Sequence, residues 1–170
     1  MLDNFEKWWR FLVFWEKEYV EGLGSDTGVR IYGFTEKYNP GLVKQLKELY
    51  LSNKQGEAEG IAKKQAKVLY WDALSCDLLP MKLDVVIADT AFQDISIAKK
   101  VLKEVAQDSL IAFGKDLAEK YAWIIALLKR SDYCDDLRSY DKSGRSWNKR
   151  IISLYDYLLT DFAILHYDQE

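Results

Sequence analysis

The chain has 170 residues, enough for one domain or one domain with a small helical annex around a sizeable core. Its net charge of -3 excludes the basic footprint of a nucleic-acid-binding protein. The two cysteines, Cys76 and Cys134, are too few and too far apart for a disulfide framework, and no Cys/His spacing indicates a metal site. No apolar run reaches the about 18 residues of a membrane span, so we expect no stable membrane insertion.

The first segment in chain order predicts an amphipathic helix that ends at Glu16. Asp3 and Glu6 match a capping box, and apolar residues then recur at helical spacing. A glycine-rich loop follows over residues 22–28. The apolar piece after it is the one candidate for extended structure, and it predicts either a short hairpin near 29–35 or an extended arm.

The rest of the chain predicts helices, and the fold class is therefore all-α. A near-continuous apolar run after Met81 is typical of a buried central helix. The turn Asn39-Pro40-Gly41 precedes another helix. The further predicted segments, in order, are a helix over 42–50, a polar break over Asn53–Gly60, a helix over Ile61–Leu74, a helical stretch through Val105, a long helix over Asp108–Arg130, a loop over Ser131–Lys142 and a last helix over Ile151–Leu165.

Two carboxylates near the first helix suit glycoside hydrolysis. Glu16 closes an aromatic-rich helix, and Asp26 follows in the glycine-rich loop. In that chemistry one acid keeps its proton in apolar surroundings, while another polar group orients water or stabilises positive charge on the sugar. Most Glu residues near a helix end are simply solvated, so the residues alone also leave open a Glu16 that points into solvent.

Three short motifs follow one another here: Glu16-Lys17-Glu18-Tyr19, Asp26-Thr27-Gly28 and Tyr32-Gly33-Phe34-Thr35. They resemble the entry motif of glycoside hydrolase family 108, the bacterial and phage N-acetylmuramidases once labelled secretion activators. That family has Glu-Gly-Gly-Tyr, then Asp-Pro-Gly-Gly, a Thr and Tyr-Gly-Ile-Thr. This chain has Lys17 and Glu18 in place of both glycines, and Arg30 where the family has its Thr.

Weaker motifs extend the resemblance from about Phe5 to about Ile151. Tyr70-Trp71-Asp72 precedes Leu79-Pro80 as in the family, and the closing Gly144 to Arg150 stretch is similar to Gly-Trp-x-x-Arg. The resemblance implies a lysozyme-like helical domain that forms a single compact unit. Its catalytic part would span 1–95, and a C-terminal helical part resembling an abbreviated peptidoglycan-binding subdomain would span 96–170.

The resemblance also implies an activity. Glu16 would be the general acid of an N-acetylmuramidase that cleaves the β-1,4 bond between N-acetylmuramic acid and N-acetylglucosamine in peptidoglycan. Asp26 would be the second polar group, and no metal or cofactor would be needed. Residues 1–10 lack the pattern of a signal peptide, which predicts cytoplasmic synthesis and action on the cell wall or periplasm after release by a holin or export. The implied substrate-binding residues are Tyr19, Arg30, Tyr32, Tyr70, Trp71 and Gln93.

Several alternatives stay open at this point. A cation at Arg30 near Glu16 favours the ionised carboxylate, which is the wrong form for a general acid, although Arg30 has Asp26 and Glu18 as other partners. A catalytically inactive relative that binds peptidoglycan or a protein partner is one alternative, and a helical interaction module with Glu16 in solvent is another. The rings of the Tyr70-Trp71 pair either pack or line a sugar subsite.

The buried central helix contains a carboxylate, Asp89, that needs a partner. It is either a structural hydrogen-bond hub or a group facing the cleft, and we favour the hub. We expect Arg150 to pair with an acidic residue. The lone His166 lies among apolar residues, which favours a structural or solvated histidine over a catalytic one.

Overall fold

The computed structural model describes residues 3–21, 28–135 and 140–160. Asp26 and His166 lie outside the described residues. Within these ranges the protein is mainly helical with one small sheet, which confirms the predicted fold class. The contacts divide the chain into two units. We call residues 8–69 the sheet unit and residues 1–7 with 70–170 the helical unit.

The sheet unit holds most of α1, a three-stranded antiparallel sheet and two further helices. The strands lie in the order β1-β2-β3, and the predicted hairpin near 29–35 is confirmed as the β2–β3 pair. Helix α2 packs against both β2 and β3, and against α3. The elements are α1 (Asn4–Glu16), β1 (Tyr19–Val20), β2 (Arg30–Ile31), β3 (Phe34–Thr35), α2 (Pro40–Leu51) and α3 (Gln55–Ala66).

The β2–β3 hairpin closes through the two-residue turn Tyr32-Gly33. Both residues have positive φ, 48° for Tyr32 and 82° for Gly33, which are the signs of a type I′ turn. The tyrosine accepts this unusual conformation because its ring is buried at the same time, 6.1 Å from the ring of Trp9. Its hydroxyl donates to the carbonyl of Gln55 at 3.3 Å. The turn therefore fixes the register of the two strands.

Helix α3 corrects two predictions. The predicted polar break over Asn53–Gly60 is wrong, because α3 begins at Gln55 and includes both glycines. The buried side of α3 is a row of alanines one turn apart, Ala58, Ala62 and Ala66. The close packing that this row allows outweighs the loss of helix propensity at the two glycines. The predicted helix over Ile61–Leu74 is wrong in its end point. The α-helix ends at Ala66, and the chain continues from Lys67 as a π-helical turn and then as 3₁₀ turns.

The helical unit is built on α4, whose residues Leu83 to Ala91 are all buried. This confirms the predicted central helix. Asp94 ends the helix and caps the next one, accepting hydrogen bonds from the backbone of Ser96 at 2.7 Å and Ile97 at 3.2 Å. Helix α4 packs against α5 and α6, α5 against α6, and α6 against α7. The elements are α4 (Leu83–Gln93), α5 (Ile95–Phe113), α6 (Ala118–Asp135) and α7 (Tyr140–Leu159).

The later helices correct three further predictions. The predicted long helix over Asp108–Arg130 is interrupted after Phe113, where Gly114 adopts a φ of 72° and turns the chain. The predicted loop over Ser131–Lys142 is wrong at both ends, since α6 continues to Asp135 and α7 begins at Tyr140. Helix α7 thus starts well before Ile151. The division into parts 1–95 and 96–170 stays a prediction, and residues 95 and 96 both lie in α5.

Among the described helices, none combines the length and the apolar character that crossing a membrane requires.

Candidate functional site

Glu16 and Arg30 meet in the sheet unit. Glu16 is the last residue of α1, and Arg30 begins the central strand of the sheet. Nη1 of Arg30 lies 3.2 Å from Oε2 of Glu16, with 13% of the Glu16 side chain exposed and 37% of the Arg30 side chain exposed. The prediction that Glu16 points into solvent, which belonged to the interaction-module alternative, is therefore wrong.

The left-handed conformation of Lys17 ends α1 and so fixes Glu16 as the last residue of the helix. Lys17 has a φ of 64°, and its N–H donates to the carbonyl of Val13 at 2.9 Å, so it closes the helix in a left-handed conformation. Its ammonium group lies 5.6 Å from the centre of the Phe14 ring. A carboxylate at a helix C-terminus faces the negative end of the helix dipole, which is unfavourable. The Arg30 guanidinium offsets that repulsion.

The sheet register decides which side chains share a face with Arg30. Arg30 is paired with Val20 on β1 and with Thr35 on β3, and directly opposed residues project to the same face. Thr35 therefore places a neutral hydroxyl on the Arg30 face. The sequence indicated Thr35 only as part of a motif, and its position follows from the two-residue turn, because that turn sets the pairing.

Tyr19, a predicted substrate-binding residue, lies on the other face of the sheet. It pairs with Ile31, the neighbour of Arg30 along the strand, and successive residues point to opposite faces. Its ring stacks on that of Tyr50 at 5.1 Å between centroids. The Tyr50 hydroxyl donates to the Glu18 carboxylate at 3.4 Å. Tyr19 therefore belongs to a packed aromatic pair on the side away from Arg30.

Tyr32, also predicted to bind substrate, is a core residue. It is 1% exposed, and no ring face is open to a sugar. Burial, with the nearby charges of Glu18 and Glu59, raises the pKa of Tyr32 to about 12. Its hydroxyl therefore remains protonated and serves as a donor to the backbone.

Tyr70 and Trp71 belong to the helical unit. Trp71 is 1% exposed, packs edge-on against Phe5 and donates its indole N–H to Asp77 at 2.7 Å. The Tyr70 ring meets the Phe92 ring at 4.9 Å, and burial raises the pKa of Tyr70. Both rings therefore pack within their unit, and Trp71 in particular presents no face to a glycan.

A second carboxylate–guanidinium group lies inside the helical unit. Asp89 on α4 is fully buried and accepts from Arg130 at 2.8 Å and from Arg150 at 2.7 and 3.1 Å. Although burial by itself would raise it, the two cations hold the pKa of Asp89 near 2. Burial lowers the pKa of Arg130, and Asp89 opposes that effect. The hub and the acidic partner of Arg150 are thus confirmed.

Gln93 is part of this same group. Its side-chain carbonyl accepts from Nη2 of Arg130 at 2.6 Å, one turn beyond Asp89 on α4. The sequence predicted Gln93 as a substrate-binding residue, whereas the structure gives it a partner in the hub. Sequence reasoning missed Arg130, and the available signal was the buried Asp89, which needed more than one donor.

The structure thus brings together Glu16 and Arg30 from the predicted site and assigns Gln93 to the hub. Within the described ranges, no group of His, Cys, Asp or Glu side chains has the arrangement of a metal site. Comparisons with family models, with curated proteins and with solved structures gave no match. The resemblance to family 108 therefore remains a prediction from its motifs.

Proposed function

We propose that the protein is an N-acetylmuramidase in which Glu16 is the general acid. The observation that supports this proposal is the placement of Glu16. It is a largely buried carboxylate at the end of α1, directly before a three-stranded sheet that holds a cation 3.2 Å away. The motif supplies Asp26, outside the described residues, as the second polar group.

The proposed reaction breaks the bond between C1 of the muramic acid and the oxygen of the next sugar. Glu16 gives its proton to that leaving oxygen, and water adds its hydroxyl group to C1 and releases a proton to solvent. Asp26 is the second polar group, which orients a water or stabilises the positive charge on the sugar. Glu16 must therefore carry a proton when the substrate is bound. Because Nη1 of Arg30 lies 3.2 Å from Oε2 of Glu16, Arg30 must leave that oxygen before Glu16 can reach the leaving oxygen of the sugar. Thr35 then offers a neutral hydroxyl on the same sheet face.

A second candidate function is favoured by the same ion pair. If Arg30 stays on Glu16, no acid is available and the protein binds peptidoglycan without cleaving it. The two candidates share the peptidoglycan ligand and differ in turnover.

Digestion of purified peptidoglycan separates the two candidates. Wild type should release reducing muramic acid ends, read by mass spectrometry, and Glu16→Gln should release none. Arg30→Thr, which restores the family residue, should keep or raise the rate. Lys47→Thr is the matched control, because it removes a more exposed ion pair of the same unit, to Glu21 at 3.2 Å.

Each outcome points to one candidate. Equal release by wild type and Glu16→Gln would contradict the role of Glu16. No release by wild type, with retained sedimentation on peptidoglycan and release by Arg30→Thr, would establish the binding candidate.

A further inference from the structure

The Arg30 guanidinium has capacity for a second anion. Nη1 faces Glu16, while Nε is buried and has no hydrogen-bond partner in the described part of the chain. A buried donor without a partner is costly, so the group gains by a rearrangement that satisfies it. Arg30 is also the more exposed member of the pair, at 37% against 13%. An incoming ligand therefore reaches Arg30 before Glu16.

We propose that Arg30 recognises the free lactyl carboxylate of muramic acid, so that the preferred substrates are glycan strands from which the stem peptides have been removed. This inference rests on the proposed function and specifies its substrate class. The cation requires an anionic partner, and planar guanidinium groups bind carboxylates through paired hydrogen bonds.

The chemistry of the substrate gives the discrimination. In peptide-bearing strands the lactyl carboxyl is an amide, which is neutral and competes only weakly with Glu16 for a cation. Removal of the peptide by amide hydrolysis leaves a carboxylate. A charged hydrogen bond is roughly twice as strong as a neutral one, so the carboxylate draws Arg30 away from Glu16 more readily than the amide does.

The exchange also prepares the acid. Arg30 passes from one carboxylate to another, and Glu16 takes up one proton from solvent, so the total charge balances. Substrate binding and activation of the acid are then the same event.

The test compares initial rates on intact peptidoglycan and on amidase-treated, peptide-free strands. We expect wild type to prefer the peptide-free strands by about tenfold, the ratio that corresponds to one net charged contact. Arg30→Thr should cleave both substrates at similar rates, and Lys47→Thr should keep the preference. A third substrate, in which methylamine coupling neutralises the carboxylates of the peptide-free strands, should lose the preference with the wild-type protein.

The outcomes distinguish this inference from the proposed function. Equal cleavage of all three substrates by wild type overturns the inference but not the proposed muramidase activity. A preference for peptide-free strands that Arg30→Thr retains has the same consequence. Cleavage of none overturns the proposed function. In that case, sedimentation of wild type and Arg30→Thr with the same substrates tests recognition by Arg30. Equal binding of wild type to peptide-free and methylamine-coupled strands would overturn the inference.

Discussion

In the described part of the chain, guanidinium groups bind the carboxylates of Asp89 and Glu16, and the surroundings of these two carboxylates differ. Asp89 is fully buried and bound by Arg130 and Arg150, both nearly or fully buried. Glu16 keeps a 13% exposed side chain, and its partner Arg30 is 37% exposed. The same pair of chemical groups therefore occurs once as part of a core and once near a surface.

The comparison of the Asp89 hub with the Glu16–Arg30 pair shows that the role of an ion pair depends on how deeply it is buried. In a core, breaking the pair leaves a charge with no water to solvate it, so the group fixes its helices and resists exchange. At the Glu16–Arg30 pair the Arg30 side chain is partly exposed, so water screens this pair more than the Asp89 hub and the net stabilisation is smaller. The Glu16–Arg30 pair can therefore exchange partners at low cost, as a site that responds to substrate requires.

The largest expected effect comes from Asp89→Asn. The substitution keeps the shape but leaves two buried cations with a neutral partner, and we expect a loss of about 3–5 kcal/mol in the free energy of unfolding. Chemical denaturation measures it. Glu21→Gln, which removes an exposed pair, is the control and should change stability by less than about 1 kcal/mol. A similar small change in Asp89→Asn would show that the hub does not stabilise the core.

Acid should weaken the hub in a defined window. Because the pKa of Asp89 is lowered in the fold to about 2 from an ordinary 3.8, its contribution is complete above the unfolded value and is lost as the pH falls through the folded one. The loss should be about 2 kcal/mol between about pH 5 and pH 2. Unfolding of wild type and Asp89→Asn across that range measures it. Parallel curves for the two proteins would contradict the assignment.

A smaller effect is expected where α1 ends beside Glu16. Lys17 holds a φ of 64°, which costs a side-chain-bearing residue about 1–2 kcal/mol that glycine does not incur. Lys17→Gly should therefore be more stable than Lys17→Ala by about 1 kcal/mol. Both variants lose the contact with Phe14, so the difference in thermal unfolding isolates the backbone. Equal stabilities would argue against the left-handed helix end.

The smallest expected effect is that of Arg30→Thr on stability. The pair is partly exposed and threonine suits a strand, so the change should stay within about 1 kcal/mol. Thermal unfolding of Arg30→Thr beside wild type checks this. A loss as large as that of Asp89→Asn would remove the contrast between the two pairs.

The sequence predicted those features that depend on local pattern. The apolar piece after residue 28 predicted the hairpin, and an acid inside an apolar run predicted the Asp89 hub. The prediction from sequence was wrong where contacts between residues far apart in the chain determine the structure. The alanine row of α3 packs closely enough to keep the helix continuous through the glycines that had suggested a break. The face of Tyr19 depends on the register between β1 and β2, which composition does not reveal.

The candidate site was also predictable only where it depends on local pattern. The apolar periodicity predicts the end of α1, and Glu16 was therefore predicted as a site residue at that end. The partner of Arg30 did not, because Glu16, Glu18 and Asp26 are all near it along the chain, and only the sheet selects Glu16 among the described residues.

The rate of glycan cleavage by Glu16→Gln, beside Glu18→Gln as its matched control, tests the central claim most directly. Glu18 lies two residues away and accepts from the Tyr50 hydroxyl, so its loss probes local packing without removing the proposed acid. We predict that Glu18→Gln releases reducing muramic acid ends near the wild-type rate and that Glu16→Gln releases none. Equal rates for wild type and both variants would contradict the assignment of Glu16 as the general acid.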